Sequence, residues 1–179
     1  MRSLWLAWLA FGTANPPPDP CHSLVPPELE RKLEERYPDV RLRLAADSDA
    51  ENLRYATKQG KTCLLVAQAD ADGDGRADLA LVLPKKAGVG YRFVVALNKP
   101  SGFELRELNA WTGPVTRLYV DVAPPGTYEH TEAYPFLPSP GVAETIVSKL
   151  PGFYFGTVES AAVVYFLQHD QWLLVHVMD

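Results

Sequence analysis

A chain of 179 residues, 47% hydrophobic and 22% charged, has the composition of a globular protein, which excludes an intrinsically disordered chain. Its net charge of −5 and its lack of a Lys/Arg-rich stripe argue against nucleic acid and anionic membrane surfaces as partners. The length fits one domain with a core of its own.

The first fourteen residues, MRSLWLAWLAFGTA, have the order of a secretory signal peptide. Arg2 precedes an apolar run, and the small residues Gly12 and Ala14 stand where a signal peptidase cuts. The run is too short to cross a bilayer as a helix, and no later stretch is long and apolar enough to do so. We therefore expect export to the periplasm or the extracellular space and no membrane span. A helix packed in the core is the alternative interpretation.

Residues 15–27 form a proline-rich lead-in, for which an extended, polyproline-like conformation is expected. The two cysteines of the chain are Cys21, in this lead-in, and Cys63. An even cysteine count in an exported protein favours a disulfide. Two free thiols are the alternative. A lipidated Cys21 is disfavoured because PPDP, which precedes it, lacks the small and aliphatic residues of a lipobox.

Two short helices are predicted near the start of a single domain that covers residues 28–179. In ELERKLEERY, the apolar residues Leu29, Leu33 and Tyr37 fall four apart on one face, and a proline follows. In DSDAENLRYATKQG, Asp and Ser are candidate N-caps and Gly60 is a stop signal. The second helix is therefore expected between these signals.

The rest of the domain is predicted to form a largely antiparallel sheet. Alternating apolar and polar residues predict strands in VRLRLAA, YRFVVALN and TRLYVDV. The apolar runs CLLVAQ and LALVLP predict buried strands on either side of an acidic loop, and SAAVVYFLQ and WLLVHVMD predict a C-terminal hairpin. The expected fold class is therefore α+β, with two short N-terminal helices.

Residues 123–141, APPGTYEHTEAYPFLPSPG, form a long proline-rich and aromatic segment without a period. Loops of this length are usually functional or mobile. His130 stands between Glu129 and Glu132, and a histidine beside carboxylates can act as a general acid or base. A solvated acidic loop is the preferred interpretation, and the aromatic residues of the loop also suit a partner-binding edge.

The acidic loop DADGDGRAD has the spacing of a calcium site. Asp70, Asp72 and Asp74 occupy its first, third and fifth positions, followed by a glycine that permits a sharp bend. Arg76, at the seventh position, would offer its backbone carbonyl, and Asp78 would close the shell. A calcium ion would offset the repulsion among these carboxylates. An Asp/Gly-rich turn without an ion is the alternative.

The loop departs from an EF-hand, because Leu81 stands at the twelfth position and the flanks are strand-like. It resembles the calcium loop of FG-GAP and VCBS repeats, D-x-D-G-D-G-x-x-D. That resemblance implies a strand–loop–strand site for Ca²⁺. The loop occurs once, whereas a propeller needs several blades. The chain is also similar to small exported bacterial single-loop proteins, a resemblance that implies a fold and no activity.

Motifs for a zinc site, a serine nucleophile elbow or a nucleotide-binding loop do not occur in the sequence. The preferred interpretation is an exported calcium-binding module in which the ion is structural, with an unidentified protein or saccharide partner. The alternative is a calcium-dependent hydrolase whose active site lies in residues 123–141. The sequence carries no signal for an oligomeric state.

Overall fold

The structure is a computed structural model that describes residues 19–42 and 44–178. The predicted signal peptide and residues 15–18 of the lead-in lie outside the described residues. Within them, the α-helices are α1 (Pro27–Arg36) and α2 (Ala50–Lys58). The strands are β1 (Val66–Ala69), β2 (Asp78–Pro84), β3 (Tyr91–Lys99), β4 (Gly102–Trp111), β5 (Leu118–Ala123), β6 (Gly126–Glu129), β7 (Thr145–Ser148), β8 (Gly152–Thr157), β9 (Ala162–Gln168) and β10 (Gln171–Met178).

These strands form three antiparallel sheets. The first has the order β1-β2-β3-β4, the second has the order β10-β9-β8-β5, and β6 pairs with β7 in a short ribbon. The predicted α+β class with mostly antiparallel strands is therefore confirmed, although the strands divide among more than one sheet. The predicted C-terminal hairpin is β9–β10.

The main core lies between the first and second sheets. Phe93 of β3 stacks on Phe155 of β8 with ring centroids 4.5 Å apart, and it also contacts Tyr165 of β9 at 5.4 Å. All three side chains are buried. The Val120 backbone N–H donates to Leu64 O, which ties β5 to the chain just before β1. The loop between β1 and β2 therefore projects from the end of a well-packed framework.

Both predicted helices are present. The predicted apolar face of α1 is buried, with Leu29, Leu33 and Tyr37 each less than a tenth exposed. Asp49 is the N-cap of α2, and its Oδ1 accepts hydrogen bonds from Glu51 N at 2.9 Å and Asn52 N at 3.2 Å. Caps of this kind satisfy N–H groups that the first helical turn leaves without partners.

Asp49→Ala is expected to lower the free energy of unfolding by about 1 kcal/mol, because both N–H groups lose their acceptor. Urea unfolding measures this change. Glu51→Ala, in the same turn, removes a charge near the helix dipole without removing a cap, and should cost only about 0.3 kcal/mol. Equal losses in the two variants would show that Asp49 does not act as a cap.

The predicted strand VRLRLAA is wrong. Val40 forms one isolated bridge with Lys85, and the chain then turns through a 3₁₀ helix at Ala45–Asp47. Two aspartate side chains, one near in sequence and one distant, take backbone donors that a strand would need. Asp47 accepts from Leu44 N at 2.9 Å, and Asp19 accepts from Ala45 N at 2.9 Å. Such bonds from side chains to the backbone compete with sheet pairing.

The segment 123–141 is also more ordered than the predicted irregular loop. Its first part contains β6, which pairs with β7, and β7 and β8 were both missed by the sequence analysis. The part that follows lies along the outer edge of β10. Leu174 N donates to Gly141 O, and Thr131 N donates to His176 O, both at 2.8 Å. The segment therefore covers a sheet edge that would otherwise be open.

The predicted disulfide is present between Cys21 and Cys63. The described part of the lead-in does not keep the extended conformation expected for it, since His22–Leu24 form a 3₁₀ helix. Cys21 is 1% exposed and Val25 7%, so this segment belongs to the core. No helix among the described residues is long and apolar enough to cross a membrane.

Candidate metal centre

The acidic loop connects β1 to β2 at one end of the first sheet. Ala69 and Asp78 are paired across the hairpin, so the residues between them form the loop. Gly73 has a φ of 77° and Gly75 a φ of 84°, a left-handed conformation that L side chains rarely adopt. A Cβ at Gly73 would lie 3.1 Å from Leu150. The glycines therefore permit both the tight winding of the loop and its packing against the segment before β8.

Three aspartates each use one carboxylate oxygen to hold the loop backbone. Asp70 Oδ2 accepts from Gly75 N at 2.9 Å. Asp72 Oδ1 accepts from Asp74 N at 3.1 Å, and Asp74 Oδ1 accepts from Arg76 N at 3.0 Å. The second oxygen of each carboxylate is not used in these bonds. The local sequence thus winds the loop and leaves oxygens for a cation.

Asp78 is the most deeply placed of the four carboxylates, with an exposure of 0%. Its Oδ2 accepts from Ala71 N at 2.9 Å and its Oδ1 from Asn98 N at 2.8 Å. Burial raises the pKa of Asp78, and the charges of Asp72 and Asp74 add to that rise, whereas the two hydrogen bonds oppose it. Each oxygen keeps a second lone pair, so Asp78 is still able to ligate a metal.

Asp70, Asp72 and Asp78 form a cluster that could hold a metal ion. Each offers one oxygen, and these oxygens all lie within 4.8 Å of one another. Asp70 Oδ1 is buried and has no hydrogen-bond partner in the described part of the chain. A buried carboxylate oxygen without a partner is costly, because it has lost water and gained nothing in return. A cation at the cluster would remove that cost.

Asp74 and Arg76, also predicted as ligands, are placed differently. Asp74 is not one of the three clustered carboxylates, and its Oδ2 lies 3.5 Å from Arg76 Nε. That same Nε donates to Asn98 O at 3.0 Å. The side chain of Arg76 therefore braces the loop against β3. Coordination by Asp74 and by the backbone carbonyl of Arg76 remains a prediction.

The sequence analysis missed two residues of β3 that complete this centre. Asn98 gives its N–H to Asp78, and Lys99 forms an ion pair with Asp72 Oδ2. Contact with Asp72 raises the pKa of Lys99. Lys99 is far from the loop in sequence and comes next to it only through the pairing of β2 with β3. A basic residue at the end of the second strand after the loop is a weak signal, because only the strand register shows that it lies beside the loop.

The structure places His130 among aromatic side chains and beside His176. His130 Nδ1 lies 2.6 Å from Thr131 O, and the ring contacts Tyr134, Phe136 and His176 edge to face. Burial lowers the pKa of His176, and the neighbouring His130 lowers it further. Within residues 44–178, no hydrogen bond or ion pair joins His130 to Glu129 or Glu132. The cluster fastens the segment to β10.

Comparisons with protein-family models, curated proteins and solved structures found no match for this chain. Its function is therefore inferred from its own residues, and the acidic loop is the place where they converge on one chemistry. The carboxylate oxygens of that loop could hold a metal cation.

Proposed function

We propose that the protein is an exported module that binds one calcium ion at the β1–β2 loop, where the ion stabilises the fold. The observation that carries this proposal is the convergence of Asp70, Asp72 and Asp78, each of which has one oxygen within 4.8 Å of the others. It is supported by Asp70 Oδ1, which is buried without a hydrogen-bond partner among the described residues.

The donor set favours calcium among the metals. All three clustered donors are carboxylate oxygens, which suit hard cations and not zinc or copper. Calcium accepts six to eight oxygens in a flexible geometry, whereas magnesium keeps several waters and needs a near-ideal octahedron. The sequence pattern predicts the Asp74 carboxylate and the Arg76 backbone carbonyl as the further oxygen ligands of the ion. Extracellular calcium modules typically have dissociation constants of about 10⁻⁴–10⁻³ M.

A bound ion would join three parts of the fold. Asp70 follows β1, Asp78 begins β2, and Asp78 is hydrogen-bonded to Asn98 of β3. The packing of the loop against Leu150 extends this junction toward the second sheet. Calcium at this place would therefore act as a structural staple, in keeping with the absence of a nucleophile motif in the loop.

Export is supported by two features. Residues 1–14 have the pattern of a signal peptide, and the Cys21–Cys63 disulfide is of a kind that persists in oxidising compartments. A binding role is supported by apolar side chains on the segment that covers β10, where Leu137 is 77% exposed and Tyr134 42%. A protein or saccharide partner remains part of the proposal.

Calcium is expected to raise the melting temperature of the chelator-treated protein. An ion that binds only the folded state adds about 2.7 kcal/mol at 100 times its dissociation constant. For a chain of this size the rise is about 5–10 °C, and magnesium should produce less. Differential scanning calorimetry with each ion, combined with isothermal titration, measures both the shift and the affinity.

Two variants form a matched control for this experiment. Asp70→Asn keeps the size of the side chain and an acceptor for Gly75 N but removes the charge, so the calcium-induced shift should disappear. Arg76→Ala removes a side chain that is not a proposed ligand, so the shift should persist. If wild-type protein melts at one temperature with and without calcium, the loop is a bare turn and the proposal fails.

A further inference from the structure

Lys99 already supplies a cation to the acidic loop. Its Nζ forms an ion pair with Asp72 Oδ2, and the Asp72 side chain is only 6% exposed. The Lys99 side chain is 31% exposed, so its stem lies against the protein while its head reaches the carboxylate. In the absence of metal, this ammonium is the positive charge that directly neutralises one of the three clustered carboxylates.

The ammonium and a metal ion would compete for one oxygen. Asp72 Oδ1 is used by the backbone N–H of Asp74, which leaves Oδ2 as the oxygen free of the loop's own bonds. Lys99 is bonded to that Oδ2. A cation that binds Asp72 Oδ2 would be repelled by the ammonium at close range, and this repulsion favours displacement of the ammonium.

A cleft next to Lys99 could accept its ammonium group after displacement. A cleft of about 530 Å³ opens beside Asp72 and Lys99, between the β3–β4 hairpin and the turn that joins β9 to β10. Glu104 and Asp170 line this cleft, so it offers Lys99 other carboxylates as well as water. Rotation of the Lys99 side chain into this cleft is the movement by which the exchange would occur.

We infer that Lys99 is a tethered competitor of the calcium ion and sets the affinity of the loop. The inference rests on the proposed calcium function and deepens it. It explains how three carboxylates stay close together in metal-free protein. The competition also makes the calcium affinity of the loop lower than its carboxylates alone would give.

Lys99→Met is expected to bind calcium about tenfold more tightly than the wild type, because the ion no longer displaces a bound cation. In chelator, the same variant should melt about 2–4 °C lower, since its carboxylates have lost their counter-charge. Lys99→Gln should show the same changes in calcium affinity and melting temperature as Lys99→Met. Isothermal titration gives the affinities and calorimetry the melting temperatures.

Arg106→Met is the matched control, since Arg106 is a cation of the same cleft that pairs with Glu104, and among the described residues no ion pair joins it to Asp72. It should change the calcium affinity less than about threefold, as expected of a screened charge at longer range. Equal gains in both variants, or no gain in Lys99→Met, would overturn the role of Lys99 and leave the calcium site standing. Binding by Lys99→Met alone would support Lys99 as the occupant and refute calcium binding by the native chain. If neither protein bound calcium, both proposals would fall.

Discussion

Asp78→Ala is expected to lower the free energy of unfolding by about 3 kcal/mol in chelator, where no metal contributes. Asp78 is fully buried and is the acceptor for Ala71 N and Asn98 N. Alanine would leave both donors buried without partners, at about 1–3 kcal/mol each. Loss of a buried charge returns part of this cost, because burial is the main cause of the raised pKa of Asp78. Urea unfolding in EDTA measures the net change.

Asp74→Ala provides the comparison in the same loop. Asp74 is exposed, and its Oδ1 is the acceptor of one loop N–H, that of Arg76, which can turn to water instead. Its loss should therefore cost about 1 kcal/mol or less. A cost for Asp78→Ala no larger than that of Asp74→Ala would mean that Asp78 does not organise the junction of β1, β2 and β3. Both variants should also weaken calcium binding. Because unfolding is measured in EDTA, the effect of each variant on the fold is measured separately from its effect on the ion.

The acidic loop could be predicted from sequence because its information is local. Asp70, Asp72 and Asp78 are fixed relative to one another by a few residues and two glycines, so spacing alone suggests convergence. Helix α1 was predictable for the same reason, since Leu29 and Leu33 repeat at the helical period. Neither prediction needed knowledge of distant parts of the chain.

The features that were missed depend on distant contacts. Lys99 reaches Asp72 only because β2 and β3 pair in a particular register. The strand β6 lies in a proline-rich segment and is stabilised by pairing with β7, which has no strong alternation of its own. Conversely, VRLRLAA has perfect alternation, but Asp19 and Asp47 capture its backbone donors. Hydrophobic periodicity indicates which face of a segment can be buried. Whether the segment pairs as a strand depends on the residues that lie next to it in the fold.

Removal of the Cys21–Cys63 disulfide is expected to lower the free energy of unfolding by roughly 4 kcal/mol. The bond joins residues 42 apart in sequence. Without it, the unfolded chain has a higher conformational entropy, which stabilises the unfolded state. It also fastens the segment of Cys21 and Val25, both buried, to the residues before β1. Reduced wild-type protein and a Cys21→Ala/Cys63→Ala variant should show similar losses in urea unfolding.

Val25→Ala separates the cross-link from the packing of the same segment. It removes buried methyl groups while leaving the disulfide in place, and should cost about 1–2 kcal/mol. A double cysteine variant that loses no more than Val25→Ala would show that the bond adds nothing beyond local packing. The larger loss is expected because the cross-link restricts the unfolded chain, which Val25 does not. Amide exchange should then show the lead-in opening first, with the Val25 N–H, which donates to His22 O, losing protection while the paired strands β2 and β3 stay protected.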